Sequence, residues 1–497
     1  MNVGKKTAEM QRGNVDRISD LPDFILHDIL LILDTKEAGR TSVLSKRWYR
    51  AWSSIPVLVF QPRYFKIDVC KARNDESEDD KDKLQRFVKF VDGTMLRYSI
   101  LEFKIRKMYL EVLIVDEELV NLVDTWIKIA VLNQIEELEI QIHGNIDYVL
   151  PEFLFCAKSL KVLKCRRIEL PYYEIMELVS LTHLTLEPIS VDEDMLQRII
   201  SYCPLVELDI THEYLDEVSL PWMRKVDGRV EGCGSGTMQS NLQESPLQKF
   251  VFCSNRVYLP WPWKMNAMPL KNLKTVEISC ATITDDIVYE LISLEKLALN
   301  SCVRLKYVKI SSLSLKDFQI HDSPDFMAEL LEVTLDTPNL LEFKYNCKVE
   351  TSLSLIRVLD RCNAQFSPFM FDIDILTTDW FVELKQFLKD TKLFKSLEMN
   401  LWHVDPIVVE EDQLRSFNTG RPYKLSELKL VETCLWDSTL YMESSLTTFL
   451  DALFWCCHPD VLSITTNSEI SATKSILSIL GKKVDCWKDP LKSIESP

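Results

Sequence analysis

Glycine is scarce, 11 in 497 residues, too few for a collagen-like repeat or long flexible stretches. No run approaches the roughly 18 uninterrupted apolar residues that a membrane helix requires. The opening MNVGKKTAEMQRGN has no apolar stretch of secretory-signal length. Cations are outnumbered, 58 Lys and Arg against 75 Asp and Glu, for a formal charge of −17. That balance opposes binding to a nucleic-acid backbone or to an anionic membrane surface. The expectation is a cytoplasmic or nuclear protein with neither kind of partner.

Catalytic and metal-binding patterns are missing as well. The histidines at 27, 143, 183, 212, 321, 403 and 458 never fall at the i, i+4 spacing of a helical metal site. The 14 cysteines contain no CxxC pair. Cys456 and Cys457 are neighbours, but no second pair or histidine couple stands at zinc spacing, so small buried apolar thiols are the better reading. No GxxxxGK[ST] loop occurs, and the GSG at 234–236 lacks the strand that precedes a nucleophile turn. No catalytic residue, metal or cofactor is expected.

The most informative segment is DRISDLPDFILHDILLILDTKEAGRTSVLSKRWYRAWSSIPVLVF, residues 16–60. Leu21, Ile25, Ile29 and Leu33 recur every four residues, an amphipathic helix with a wide apolar face. Ser19 and Asp20 stand at N-cap positions and Pro22 in the first turn. Asp34 and Thr35 close this helix and open a short second one. Thr41 is placed to cap a third, with Leu44, Trp48 and Trp52 on one stripe. So small a domain is marginal alone. Its surplus apolar face therefore reads as an interface, with packing on the following domain as the alternative.

The run ISDLPDFILHDILLILDTKEAGRTSVLSKRWYRAW resembles the F-box of the large plant F-box family from end to end. It has the Leu-Pro opening, the acid-rich helix, the TSVLSKRW core and the closing tryptophan in order. The resemblance implies docking to the Skp-type adaptor of an SCF (Skp–cullin–F-box) ubiquitin ligase and, through it, to the cullin. It also implies that Leu21, Pro22, Ile25, Ile29, Val43, Leu44 and Trp48 fill the adaptor's groove or support the helices that do. Some of these must be core, because a helix cannot present every apolar side chain outward. Gly39-Arg40 departs from the expectation, since a helix-favouring residue suits that position better than glycine.

Beyond residue 100 an L-x-x-L-x-L grammar recurs: IEELEI from Ile135, LKVLKC from Leu160, LTHLTL from Leu181 and LVELDI from Leu205. LQKFVF (247), LKTVEI (273), LEKLAL (294), LKDFQI (315), LLEFKY (340), FKSLEM (394) and LSELKL (425) follow. With 46% apolar residues, three apolar positions coincide by chance at about one site in ten, so a single match means nothing. The spacing carries the weight: starts at 135, 160, 181 and 205 lie 25, 21 and 24 apart, and those at 273, 294, 315 and 340 lie 21, 21 and 25 apart. That is the period of a leucine-rich repeat, one short strand per unit of a parallel sheet. DTWIKIAVLNQIEELEI (124–140) resembles the entry into the repeats in the same plant family, a helix with a central tryptophan leading to the first clear strand. FLDALFWCCHPDVLSIT (449–465) resembles its C-terminal region, with a Cys-His-Pro turn. The FBD domain of many relatives is not evident.

The expected fold class is α/β: a small N-terminal helical F-box, then a degenerate leucine-rich-repeat solenoid with a curved parallel sheet. Residues 1–14 read as a disordered N-terminus, 15–60 as the F-box, and 61–123 as a connecting segment holding an acidic loop at 71–83. Residues 124–465 read as repeats, interrupted by a glycine-rich loop at 227–246, and 466–497 as a tail. Trp261 and Trp263, set between prolines just after that loop, stand equally as anchors for a partner and as packing beneath the loop. The function expected is substrate recognition for a ubiquitin ligase, the repeats holding an unidentified protein target. A non-degradative scaffold and a small-ligand receptor are the alternatives.

Overall fold

The computed structural model describes residues 21–33, 35–69, 78–144, 146, 148–170, 178–187, 199–200, 202–212, 246–254, 262–263, 272–280, 282–283, 293–302, 305–322, 330–368, 375–400, 407–417, 420–432, 443–466 and 493–495. They fall in two compact units, Met1–Ile189 and Ser190–Pro497.

The first unit opens with three helices: α1 (Asp23–Ile32), α2 (Thr35–Thr41) and α3 (Lys46–Ser53). Five parallel strands follow in sequence order: β1 (Val57–Phe60), β2 (Lys107–Ile114), β3 (Glu137–Gly144), β4 (Val162–Arg166) and β5 (His183–Glu187). Two long helices, α4 (Glu78–Leu101) and α5 (Glu117–Leu132), lie between β1 and β3. In α4 the buried residues Phe87, Val91, Met95 and Tyr98 recur every three or four positions, the period of one helical face. Asp116 caps α5 by accepting from Leu119 N at 2.8 Å. Trp126, fully buried in α5, donates from Nε1 to Asp92 on α4 at 3.2 Å. The tryptophan helix and the strand expected over 124–140 are thus both present. β3 ends on Gly144, whose φ of +124° and whose approach to the Ile114 carbonyl leave no room for a Cβ.

Two expectations for the connecting segment are corrected. Residues 78–83 are not loop but the first turn of α4. Glu78, Asp79 and Asp80 sit where a helix dipole favours anions, and Lys83 pairs with Asp79 and Asp80 at 2.6 and 3.0 Å. Nor is 61–123 a mere connector, because the parallel sheet begins at Val57 and β2 is one of its buried strands.

In the second unit, parallel strands at Glu207–His212, Lys249–Ser254, Thr275–Ser279, Lys296–Asn300, Asp317–His321, Glu342–Asn346, Asn363–Phe366, Ser396–Asn400, Tyr423–Glu432, Cys457–Thr466 and Ser493–Glu495 pair in sequence order. Every one of the eleven L-x-x-L-x-L runs is a strand of these sheets, so the leucine-rich architecture is present. Between residues 296 and 366 the chain alternates between this sheet and a second one of Tyr307–Ser311, Glu332–Asp336 and Ser352–Leu355. Phe318, Phe343, Phe366 and Phe394 stack in the interior, Phe318 over Phe343 at 5.6 Å.

The Cys-His-Pro run is not a turn. Helix Glu443–Cys456 passes directly into strand Cys457–Thr466, with Pro459 opposite Leu425. The expected tail contributes a strand, Ser493–Glu495, and the glycine-rich loop at 227–246 lies outside the described residues. Cys456 and Cys457 are buried and donate to the Phe381 and Leu453 carbonyls. Burial pushes the Cys203 and Cys457 thiols up to about 12, so these behave as small apolar side chains.

Candidate functional site

The three N-terminal helices close around Leu26, Leu30, Ala38, Trp48, Ala51 and Ile55, with Leu21, Ile29, Trp52 and Val57 partly buried against them. Leu26 and Leu30 are one helical turn apart on α1, which sets that helix's inner face. Its N-cap is Pro22, while Ser19 and Asp20 lie outside the described residues. Thr41 does not cap α3: it is the last residue of α2, and its hydroxyl donates to the Ala38 carbonyl at 2.6 Å. Ser45 is the cap, accepting from Trp48 N at 3.2 Å. Arg47 on α3 reaches back to Asp23 at 2.8 Å and to the Leu21 carbonyl, tying α3 to the start of α1.

The expected interface residues therefore separate. Trp48 is core, 5% exposed, and Leu21, Ile25 and Ile29 are half-buried. Pro22, Val43 (85%) and Leu44 (66%) face solvent. Phe24 (64%) and Ile32 (84%) join them, with Leu31 and Tyr49 also exposed. None of these four stood among the residues expected at the adaptor, although Ile32 flanks the apolar stripe read from the sequence. Phe24, Leu31 and Ile32 stand seven and eight residues apart, a second helical stripe beside the one that was read. Trp261 lies outside the described residues, and Trp263 is described only as backbone paired with Ile283.

The same helices are joined to the rest of the first unit. Thr35 Oγ1 accepts from Val59 N at 3.0 Å, and Lys36 donates to the Tyr64 carbonyl at 2.6 Å. From α4, the Arg97 guanidinium lies 3.8 Å over the Trp52 ring, and Tyr98 donates to the Ile55 carbonyl at 2.5 Å. Burial lowers the Arg97 pKa and pushes the Tyr98 hydroxyl up to about 12. A narrow cleft of about 30 Å³ remains here, walled by Leu31, Leu33, Ala38, Trp52, Thr94 and Arg97.

A family model of the F-box domain matches residues 18–60, and one described as "FBD-associated F-box protein At5g56370, LRR repeats" matches 123–220. This is an F-box/leucine-rich-repeat chain. FBD-associated F-box protein At5g56370 of Arabidopsis thaliana is 29% identical over 458 residues, 88% of this chain and 87% of that protein. F-box/LRR-repeat protein 13 of the same plant is 30% identical over 217 residues, 41% of this chain and 43% of the relative. F-box protein At5g03100 is 32% identical over 197 residues, 39% and 55% respectively. Apart from the near full-length match, the chain spans about half the length of the curated relatives it matches. The exposed apolar side chains of α1 to α3 thus belong to the F-box itself.

The repeats carry a second feature. In the second unit, Gln319, His321, Lys344, Asn346, Gln365, Glu398 and Lys429 line a polar cleft of about 410 Å³ on the sheet face. Gln365 donates to Glu398 at 2.8 Å, and the Asn346 carboxamide lies 3.3 Å from Nδ1 of His321. Burial lowers the His321 pKa. Among the described residues no group of three His, Cys, Asp or Glu is placed to hold a metal ion, and no helix is long and apolar enough to cross a membrane.

Proposed function

We propose that this chain is the substrate-recognition subunit of an SCF-type ubiquitin ligase, docking a Skp-type adaptor through the F-box and a protein target through the repeats. The observation that carries the reading is the apolar surface of Phe24, Ile32, Val43 and Leu44, which the F-box core leaves exposed. Large apolar side chains left exposed on so small a helical unit are what a protein interface would cover. The chain supplies no chemistry of its own in this reading. It holds the target and the ligase together, so that lysines on the target see the charged ubiquitin carrier at high effective concentration. In this reading the chain works in the cytoplasm or nucleus.

Co-purification of the full chain with a Skp-type adaptor, beside a Val43→Asp/Leu44→Asp variant, tests the reading. Wild type should bind, and the folded variant should not. A folded wild type that fails to bind sinks the proposal. A second reading, a small-ligand receptor, draws on the polar cleft at His321 and Lys344, which has the convergent polar lining such a site needs.

A further inference from the structure

We propose that the cleft between the F-box and α4 receives one carboxylate side chain of the docked adaptor, with Arg97 as its counter-charge. The inference rests on the adaptor-docking reading above. Arg97 Nε is buried and has no acceptor among the described residues, whereas buried polar atoms are nearly always hydrogen-bonded. The guanidinium is a planar fork of donors. Its stack on Trp52 at 3.8 Å covers a face of that plane and leaves the donors to be reached from the edge. None of the described residues lining the cleft is Asp or Glu, so no described carboxylate answers the cation there.

Two features identify the ligand. The volume of about 30 Å³ admits the tip of one side chain and not a peptide segment. Leu31 and Leu33 line the cleft and are themselves exposed, and between them in sequence stands Ile32 of the docking face. Leu31 also belongs to the exposed stripe with Phe24 and Ile32, so the cleft borders the surface on which the adaptor would sit. An acidic residue with an apolar neighbour fits both parts, the carboxylate toward Arg97 and the neighbour toward Leu31 and Leu33. A carboxylate desolvated against a guanidinium forms charge-assisted hydrogen bonds stronger than neutral ones.

The test is adaptor affinity of the full chain, measured at low and high salt, for wild type, Arg97→Gln, Arg97→Lys and Leu33→Glu. Arg97→Gln should weaken binding about tenfold or more, mainly through faster dissociation, and flatten the salt dependence. Arg97→Lys should recover part of the loss. Leu33→Glu keeps the Trp52 stack but supplies a carboxylate from within the chain, so it should weaken binding by competition. A purely structural role for Arg97 would leave the salt dependence unchanged. Should Arg97→Gln not fold, Leu33→Glu decides. Wild-type affinity in folded Leu33→Glu, or affinity and salt dependence within about twofold of wild type in Arg97→Gln, overturns the inference alone. A wild-type chain that does not bind the adaptor removes the docking reading along with it.

Discussion

Replacing Trp48 by alanine takes the largest side chain out of a core of six residues, two of which are already alanines. Truncation of a buried tryptophan costs about 3–5 kcal/mol, as much as the core of so small a unit contributes. The three helices should then open locally, with native-state amide protection over residues 23–53 falling by more than about a hundredfold at 1.4 kcal/mol per tenfold. Leu44→Ala provides the contrast. Its side chain is solvent-exposed and precedes the α3 cap, so stability should change by no more than about 0.5 kcal/mol. Hydrogen exchange on both variants, run beside adaptor binding, separates the roles. Trp48→Ala should lose protection and binding together, and Leu44→Ala binding alone. Wild-type protection in Trp48→Ala with weakened binding would refute the packing argument and make Trp48 a contact.

Two glycines should respond in opposite senses. Gly39 lies within α2, and an added Cβ would meet the Trp52 ring at an ordinary 3.6 Å, so Gly39→Ala should stabilise by about 0.5–1 kcal/mol in urea unfolding. Gly144→Ala meets the Ile114 carbonyl in a left-handed conformation and should cost about 1–3 kcal/mol; equal midpoints for the pair would contradict this. His321 should make the second unit acid-sensitive. Burial holds its folded pKa below the ordinary 6.5, so the unfolded chain takes up the proton first. The contribution is full above pH 6.5 and lost as pH falls below it. Thermal midpoints against pH should fall more steeply below that value in wild type than in His321→Gln, and parallel curves would remove the argument.

The repeats were legible because a two-residue strand period survives degeneracy: in Leu181-Thr-His-Leu-Thr-Leu the second and third apolar residues, Leu184 and Leu186, face the interior whatever fills the gaps. The same grammar fits Ile105 and, on β2, Met108 and Leu110, which lay outside the counted series. It also fits Leu305, Val308 and Ile310, the last two of which lie on a strand of the second sheet. Pattern alone does not say which sheet a strand joins. Asn363–Phe366 was missed because its inward residues include Ala364, too small to stand out. Which apolar side chains of the F-box stay exposed was legible only in part. Leu44 and Trp48 share a spacing of four only on paper, since the α3 helix begins after Ser45 and Leu44 is not on it. Arg97 gave no signal, because its site is made by Trp52, 45 residues earlier in the chain.

The hydrogen bond from Val59 N to Thr35 Oγ1 has a consequence for how this chain is handled. β1 is an edge strand, paired on one side with β2, and open edges recruit further strands from other molecules. By answering an edge amide with a side-chain oxygen, α2 closes the end at which the array would otherwise keep growing, as terminal caps do in repeat proteins. The F-box segment is thus also a stopper. A repeat fragment freed of residues 21–56 would lose it, and its precipitation would report an uncovered edge rather than a failure of the repeats to fold.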